Sequence, residues 1–258
     1  MLRPSLVRQG HEGTSEPLIS AKEDAVDPAG LRAVFLAGVA GTFLFALAMW
    51  ALVLGAVYTG AGKWSDANYH FILESLSFGV LAPIATITYR FFRDYVGWSH
   101  QVVKAIHAVL HTAATTMGIV GIAYMWTAHD NSATAIAAKG QAVHFSSVHS
   151  WIAMASMSLY VLIAALSLVI FYCTGPKLRA AWKQWHGFLG GAAAAGTFAS
   201  IFLGLTSLVG RGDNESTKEL LWKTAALMLF MVGLSVGLVF FVTATISARR
   251  LASDGDLQ

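Results

Sequence analysis

Long apolar runs separated by short polar stretches dominate this chain. The runs show neither the alternation of a half-buried strand nor the one-sided stripe of a soluble helix. A helix crossing a bilayer needs about 20 apolar residues. Six runs reach that length: Leu31 to Tyr58, His70 to Phe92, Gln101 to Trp126, His149 to Cys173, Trp182 to Val209 and Leu220 to Ile246. The pattern therefore predicts an all-α membrane protein with six transmembrane helices. Pro83 falls inside the second run, where neighbouring helices can accommodate a kink.

Composition agrees with the pattern. Apolar residues make up 56% and charged residues 12% of the 258, where a soluble domain carries about 25% charged. The stretch 1–30 is polar, with mixed charges and no apolar segment next to Met1, so it is expected to be a disordered tail without a cleavable signal. The span 31–247 is the membrane domain, and 248–258 is expected to be a second tail. The single cysteine, Cys173, excludes an intramolecular disulfide and a cysteine-rich metal site.

Lys and Arg placement predicts the orientation. With a cytosolic N-terminus, that side holds Arg3, Arg8, Lys22, Arg32, Arg90, Arg93, Lys104, Lys177, Arg179, Lys183, Arg249 and Arg250. The other side holds Lys63, Lys139, Arg211, Lys218 and Lys223. Both termini are thus expected in the cytosol. The sequon Asn214-Glu215-Ser216 then falls on the opposite side. Topology accounts for the net charge of +3, so nucleic acid is not expected as a partner.

Ionisable residues inside membrane helices are costly and usually functional. His70 and His149 stand at the starts of the second and fourth runs, on the non-cytosolic side. His107 lies about two turns into the third helix from the cytosolic side, and His186 stands at the start of the fifth. Helices two and four run in one direction and three and five in the other. His70 and His149 therefore share one depth, and His107 and His186 share another. A single histidine at a helix end is commonly an interfacial residue. Four matched in depth on successive helices point further, to two haems, each held by two imidazoles in a bundle core. Zinc fits less well, since it usually takes four ligands.

The surrounding residues resemble the eukaryotic cytochrome b561 family, the ascorbate-linked transmembrane di-haem reductases. The likeness runs from Asn68 to about Thr206. It rests on Asn68-Tyr69-His70, on Tyr89-Arg90-Phe91-Phe92-Arg93, and on Lys104 with His107 and His111. Ser147-Val148-His149-Ser150-Trp151, Trp185-His186-Gly187 and Gly204-Leu205-Thr206 complete it. Four features depart from the family pattern. Phe71 replaces the proline after the first ligand, Glu74 lies outside the pattern, and the stretches Arg93–Lys104 and Ala128–Ser147 are longer than usual.

The resemblance implies two non-covalent b haems on four helices, two to five, with helices one and six covering that core. It implies ascorbate as cytosolic electron donor and monodehydroascorbate or ferric chelates as acceptor across the membrane. It also makes a homodimer an expectation. Plasma, vacuolar, lysosomal and secretory-vesicle membranes all fit the topology.

Arg90, Arg93 and Lys104 form a cationic cluster suited to an ascorbate anion, although positive anchors need no ligand. Lys104 is placed one turn before His107 to reach the same haem, and is the candidate base if its pKa is lowered. Lys183 is placed similarly before His186. His111, a turn beyond His107, is expected to bond a propionate or remain a polar core residue. His129 is the candidate contact for the outer acceptor. Asp130 and His144 read as solvated loop residues, His100 as a loop residue, and His11 as part of the tail. Trp151 and Trp185 read as interfacial anchors. Gly187 and Gly191 read first as a close-packing pair of small residues. A transporter with structural or proton-relaying histidines is the alternative function, with intramembrane histidines and Glu74 as its path. No broken-helix pair or inverted repeat supports it.

Overall fold

The structure, a computed structural model, describes residues 28–60, 64–132, 144–209 and 217–255. His11, Lys63, Lys139, Arg211, the sequon at 214–216, most of the expected first tail and residues 256–258 lie outside the described residues. Among the described residues there are six helices: α1 Pro28–Gly60, α2 Asp66–Tyr95, α3 His100–Asp130, α4 Val148–Cys173, α5 Pro176–Leu208 and α6 Thr217–Gly255. All six are long and apolar enough to cross a membrane. α5 starts at Pro176, earlier than the apolar run suggests, because proline is pre-shaped for the first helical turn. His186 consequently lies nearly three turns into α5 rather than at its start. α6 runs on to Gly255, through most of the stretch expected to be a tail; no glycine or proline follows Gly237 to stop it earlier.

Polar caps mark where several helices begin. The Ser65, Ser99 and Ser147 hydroxyls accept from the backbone N–H groups of Asn68, Val102 and Ser150. Each satisfies an N–H that the first helical turn leaves without a partner. The cap at Ser99 makes His100 the first residue of α3 rather than a loop residue. Gly97, at φ 84°, makes the turn between α2 and α3.

α2 is not uniform. It widens into π-helical turns at Ser75–Leu81 and Tyr89–Tyr95, on either side of Ala82–Thr88. Pro83 offers no N–H and its ring crowds the carbonyl four residues back. The wide turns just before it let the helix pass this residue without breaking.

The helices associate as three pairs: α1 with α6, α2 with α3, and α4 with α5. α1 and α6 are each other's main partners, so they do more than cover the other four. Met49, Val53, Trp222, Leu229 and Val232 are buried in the main core to which both helices contribute, together with Phe78 of α2. Leu31, Phe35, Val39, Val239 and Val242 close a second cluster with Ile87. Contact between α3 and α4 is sparse by comparison. Leu44, Val109 and Phe241 point outward at 66% exposure. Such an apolar surface is at home against lipid.

Candidate functional site

The paired topology brings the four histidines together as their depths predict. His70 of α2 and His149 of α4 face each other with ring centroids 6.5 Å apart and planes at 81°. His107 of α3 and His186 of α5 do the same at 6.1 Å and 70°. The second pair lies at the basic end of the bundle, with Arg90, Arg93, Lys104 and Lys183. The first lies at the distal end.

Each ring is held by the partner helix of its own hairpin. His70 Nδ1 bonds the carbonyl of Gly121 on α3 at 3.0 Å, and His107 Nδ1 bonds that of Ala85 on α2 at 2.9 Å. His149 Nδ1 bonds the Ser200 carbonyl on α5 at 2.8 Å. His186 Nδ1 bonds the Ser167 hydroxyl on α4 at 2.9 Å, and Trp182 Nε1 donates to the same oxygen. A carbonyl only accepts, so Nδ1 is the donor in the first three rings. In a neutral imidazole the lone pair then sits on Nε2, the arrangement of a metal-ligating histidine with an orienting partner.

Two imidazoles on opposite sides of one metal ion, with bonds of about 2.0–2.1 Å, place their centroids ~6.3 Å apart. Both pairs match that spacing. Among the described residues no group of three or more His, Cys, Asp or Glu side chains is placed to hold a metal. A haem, which brings most of its iron's ligands itself, would take the remaining ones from these paired imidazoles.

Glycines make the pairs possible. A Cβ on Gly204 would lie 3.0 Å from the His149 ring, so any larger residue there would make the imidazole give by a few tenths of an ångström. A Cβ on Gly121 would meet the Glu74 carboxylate at 2.7 Å, beside the carbonyl that holds His70. Gly187 and Gly191 do not bring helices together within the chain: a Cβ added at either would meet no neighbour within 4 Å among the described residues. Gly196 takes that role by closing on Ser156. The space beside Gly187 adjoins His186.

His111 packs on His107 with centroids 4.4 Å apart and bonds the Tyr160 hydroxyl, while Tyr160 meets Phe78 edge-on. These rings fill the interior between the two depths. Tyr160 was detectable in the sequence only as a phenol inside an apolar run. At the distal end a cavity of about 310 Å³ is lined by His70, Glu74, His129, His144, His149 and Gly204, among others. Glu74 is four residues from His70, with 4.0 Å between Oε1 and Nδ1, and Oε1 is buried without a hydrogen-bond partner. His144 and Asp130 are not simply solvated: His144 Nε2 binds Asp130 Oδ1 at 2.8 Å, and its ring stacks on Trp126 at 3.8 Å. His129 lies 5.6 Å from His144. Trp151 and Trp185, 65% and 60% exposed, point away from the histidines they flank in sequence.

The basic end departs from expectation in detail. Arg90 pairs with Asp94 on its own helix at 3.2 Å. Lys104 turns to the end of α4, donating to the Phe171 carbonyl at 3.3 Å and lying 3.9 Å over the Tyr172 ring. Arg93 Nη1 meets His100 Nδ1 at 3.0 Å, and Tyr89 lies between two histidines of this end, 5.9 Å from His100 and 5.2 Å from His107.

The family model of eukaryotic cytochrome b561 matches residues 69–211, more than half of the chain. The chain belongs to the eukaryotic cytochrome b561 family. All four paired histidines fall inside the match. Among relatives, ascorbate-specific transmembrane electron transporter 2 of Zea mays is 28% identical, over 79% of this chain and 83% of its own. Transmembrane ascorbate ferrireductase 1 of Arabidopsis thaliana is 26% identical, over 85% and 90%. A lysosomal membrane ascorbate-dependent ferrireductase of Homo sapiens is 27% identical, over 57% and 60%.

Proposed function

We propose that this cytochrome b561 carries electrons from ascorbate at its basic end to monodehydroascorbate or a ferric chelate at its distal end. The facing histidine pairs at two depths carry this reading. His107 and His186 would hold one b haem, and His70 and His149 the other. Haem bound in this way supplies one-electron carriers at two levels of the bilayer.

The chain's own residues do the rest. The Nδ1 bonds to the Gly121, Ala85 and Ser200 carbonyls fix ring orientation and tautomer and raise the basicity of the opposite nitrogen, and the Ser167 hydroxyl orients the His186 ring. Arg93, with Arg90, Lys104 and Lys183 around it, draws an enediol anion to the basic end. A guanidinium can grip adjacent oxygens with two parallel donors. The distal cavity, with His129 and His144 at its wall, is the acceptor's place. The positive-inside bias puts the basic end in the cytosol.

Absorption spectra of the purified protein test the reading, taken oxidised, then with ascorbate, then with dithionite, with haem counted per chain. The expected result is two six-coordinate b haems per chain, largely reduced by ascorbate. A colourless protein from haem-sufficient cells would sink it.

A further inference from the structure

Oxidation of an ascorbate monoanion by one electron releases a proton, so the donor site needs an acceptor for it. The basic end holds few groups able to serve. Arg90, Arg93 and Lys183 offer hydrogen-bond donors and no acceptor. Lys104 makes two contacts that suit its protonated form, a donated hydrogen bond and a cation–π contact. His107 and His186 use Nδ1 in hydrogen bonds and turn their rings toward each other.

His100 differs from all of these. It is exposed at the start of α3, seven residues from His107. Arg93 Nη1 lies 3.0 Å from its Nδ1 and can only donate. Nδ1 therefore carries a lone pair, and the ring is neutral in this arrangement. The charged and titratable groups facing it are Arg93 and Tyr89 of α2, Lys104 of α3 and Lys183 of α5. Arg93 is also the guanidinium best placed to receive an anion, since Arg90 is already paired with Asp94.

Resting on the donor reading above, we propose that His100 is the proton acceptor of the ascorbate site, released for that role when the anion draws Arg93 away. The enol O–H bond of the bound monoanion breaks and an N–H bond forms on His100 Nδ1. The electron would pass to the one-electron carrier that His107 and His186 would hold, and the product is the monodehydroascorbate radical anion. The imidazolium, being exposed, returns its proton to water, and Arg93 closes on Nδ1 again.

The experiment compares wild-type protein with His100→Ala and His100→Gln in lipid nanodiscs. It measures haem content, ascorbate affinity of the pre-reduced protein, and the rate of haem reduction from pH 5 to 8. Two donors are used: ascorbate, and hexaammineruthenium(II), which gives an electron and no proton. The wild-type rate with ascorbate should rise with pH across the range where an imidazole loses its proton. Both variants should bind two haems and ascorbate as before, react normally with the ruthenium donor, and lose about 100-fold of the ascorbate rate along with its pH dependence. An unchanged ascorbate rate in His100→Ala would overturn the assignment. So would recovery of that rate in His100→Gln, which accepts from Arg93 but takes no proton, or slowing with both donors. Wild-type protein reduced by the ruthenium donor but not by ascorbate would instead remove the donor reading itself.

Discussion

At the scale of single residues, the site depends on where a ring's second nitrogen goes. His107 is held by Ala85 and faces His186. His107→Ala should lower haem content from two per chain to one, measured as the pyridine haemochrome, with the remaining haem still six-coordinate. His186→Ala should give the same spectrum, whereas His70→Ala and His149→Ala should share the other. Loss of different spectral components within one pair would break the pairing.

Gly204 offers a subtler test, since a methyl group there would press on the His149 ring at 3.0 Å. Overpacking of this kind costs about 1–3 kcal/mol. Gly204→Ala should weaken distal haem retention, measured by haem loss on titration with apomyoglobin, and leave the basic-end pair intact. Nothing in the triplet Gly204-Leu205-Thr206 announces this role. The motif marks the position, and only the approach of α4 to α5 supplies the reason.

At the scale of elements, helix starts set the registers of His149 and His186. Ser147 caps α4 and places His149 in its first turn, tied through Ser150. Ser147→Ala should cost about 0.5–2 kcal/mol, visible as a lower thermal midpoint of distal haem release, and Ser147→Asp should restore most of it. Helix starts and tertiary neighbours account for two further placements. His186 lies deeper in its helix because α5 begins at Pro176. Lys104 turns to the end of α4, where the Phe171 carbonyl and the Tyr172 ring hold it and where the Phe171 ring also packs on His186. A lysine's four-carbon stem lets tertiary neighbours choose its target, so spacing alone does not.

At the scale of the whole molecule, six spans are an even number, so the ends of the membrane domain share one side. Tags placed before α1 and after α6 should be equally open to an impermeant reagent in cytosol-side-out vesicles, and equally closed in the opposite orientation. Opposite accessibilities would contradict six spans. The same even count places the cationic end, with Arg90, Arg93, Lys104 and Lys183, on the side of α1's start. This juxtaposes charge and the His107–His186 pair.

By itself the sequence determined the spans, the basic end and the common depths of the histidine pairs. Apolar length and helical rise are local quantities that the order of residues already contains. His107 and His186 were therefore legible as partners before any contact was known. Tertiary structure decided which atoms complete each ring: the carbonyls of Gly121, Ala85 and Ser200, and the Ser167 hydroxyl. Every residue but proline carries the same backbone groups, so no residue type signals which carbonyl a histidine will meet. It also decided that Arg93 binds His100 while Lys104 turns to the end of α4, because long cationic side chains go where packed neighbours offer acceptors.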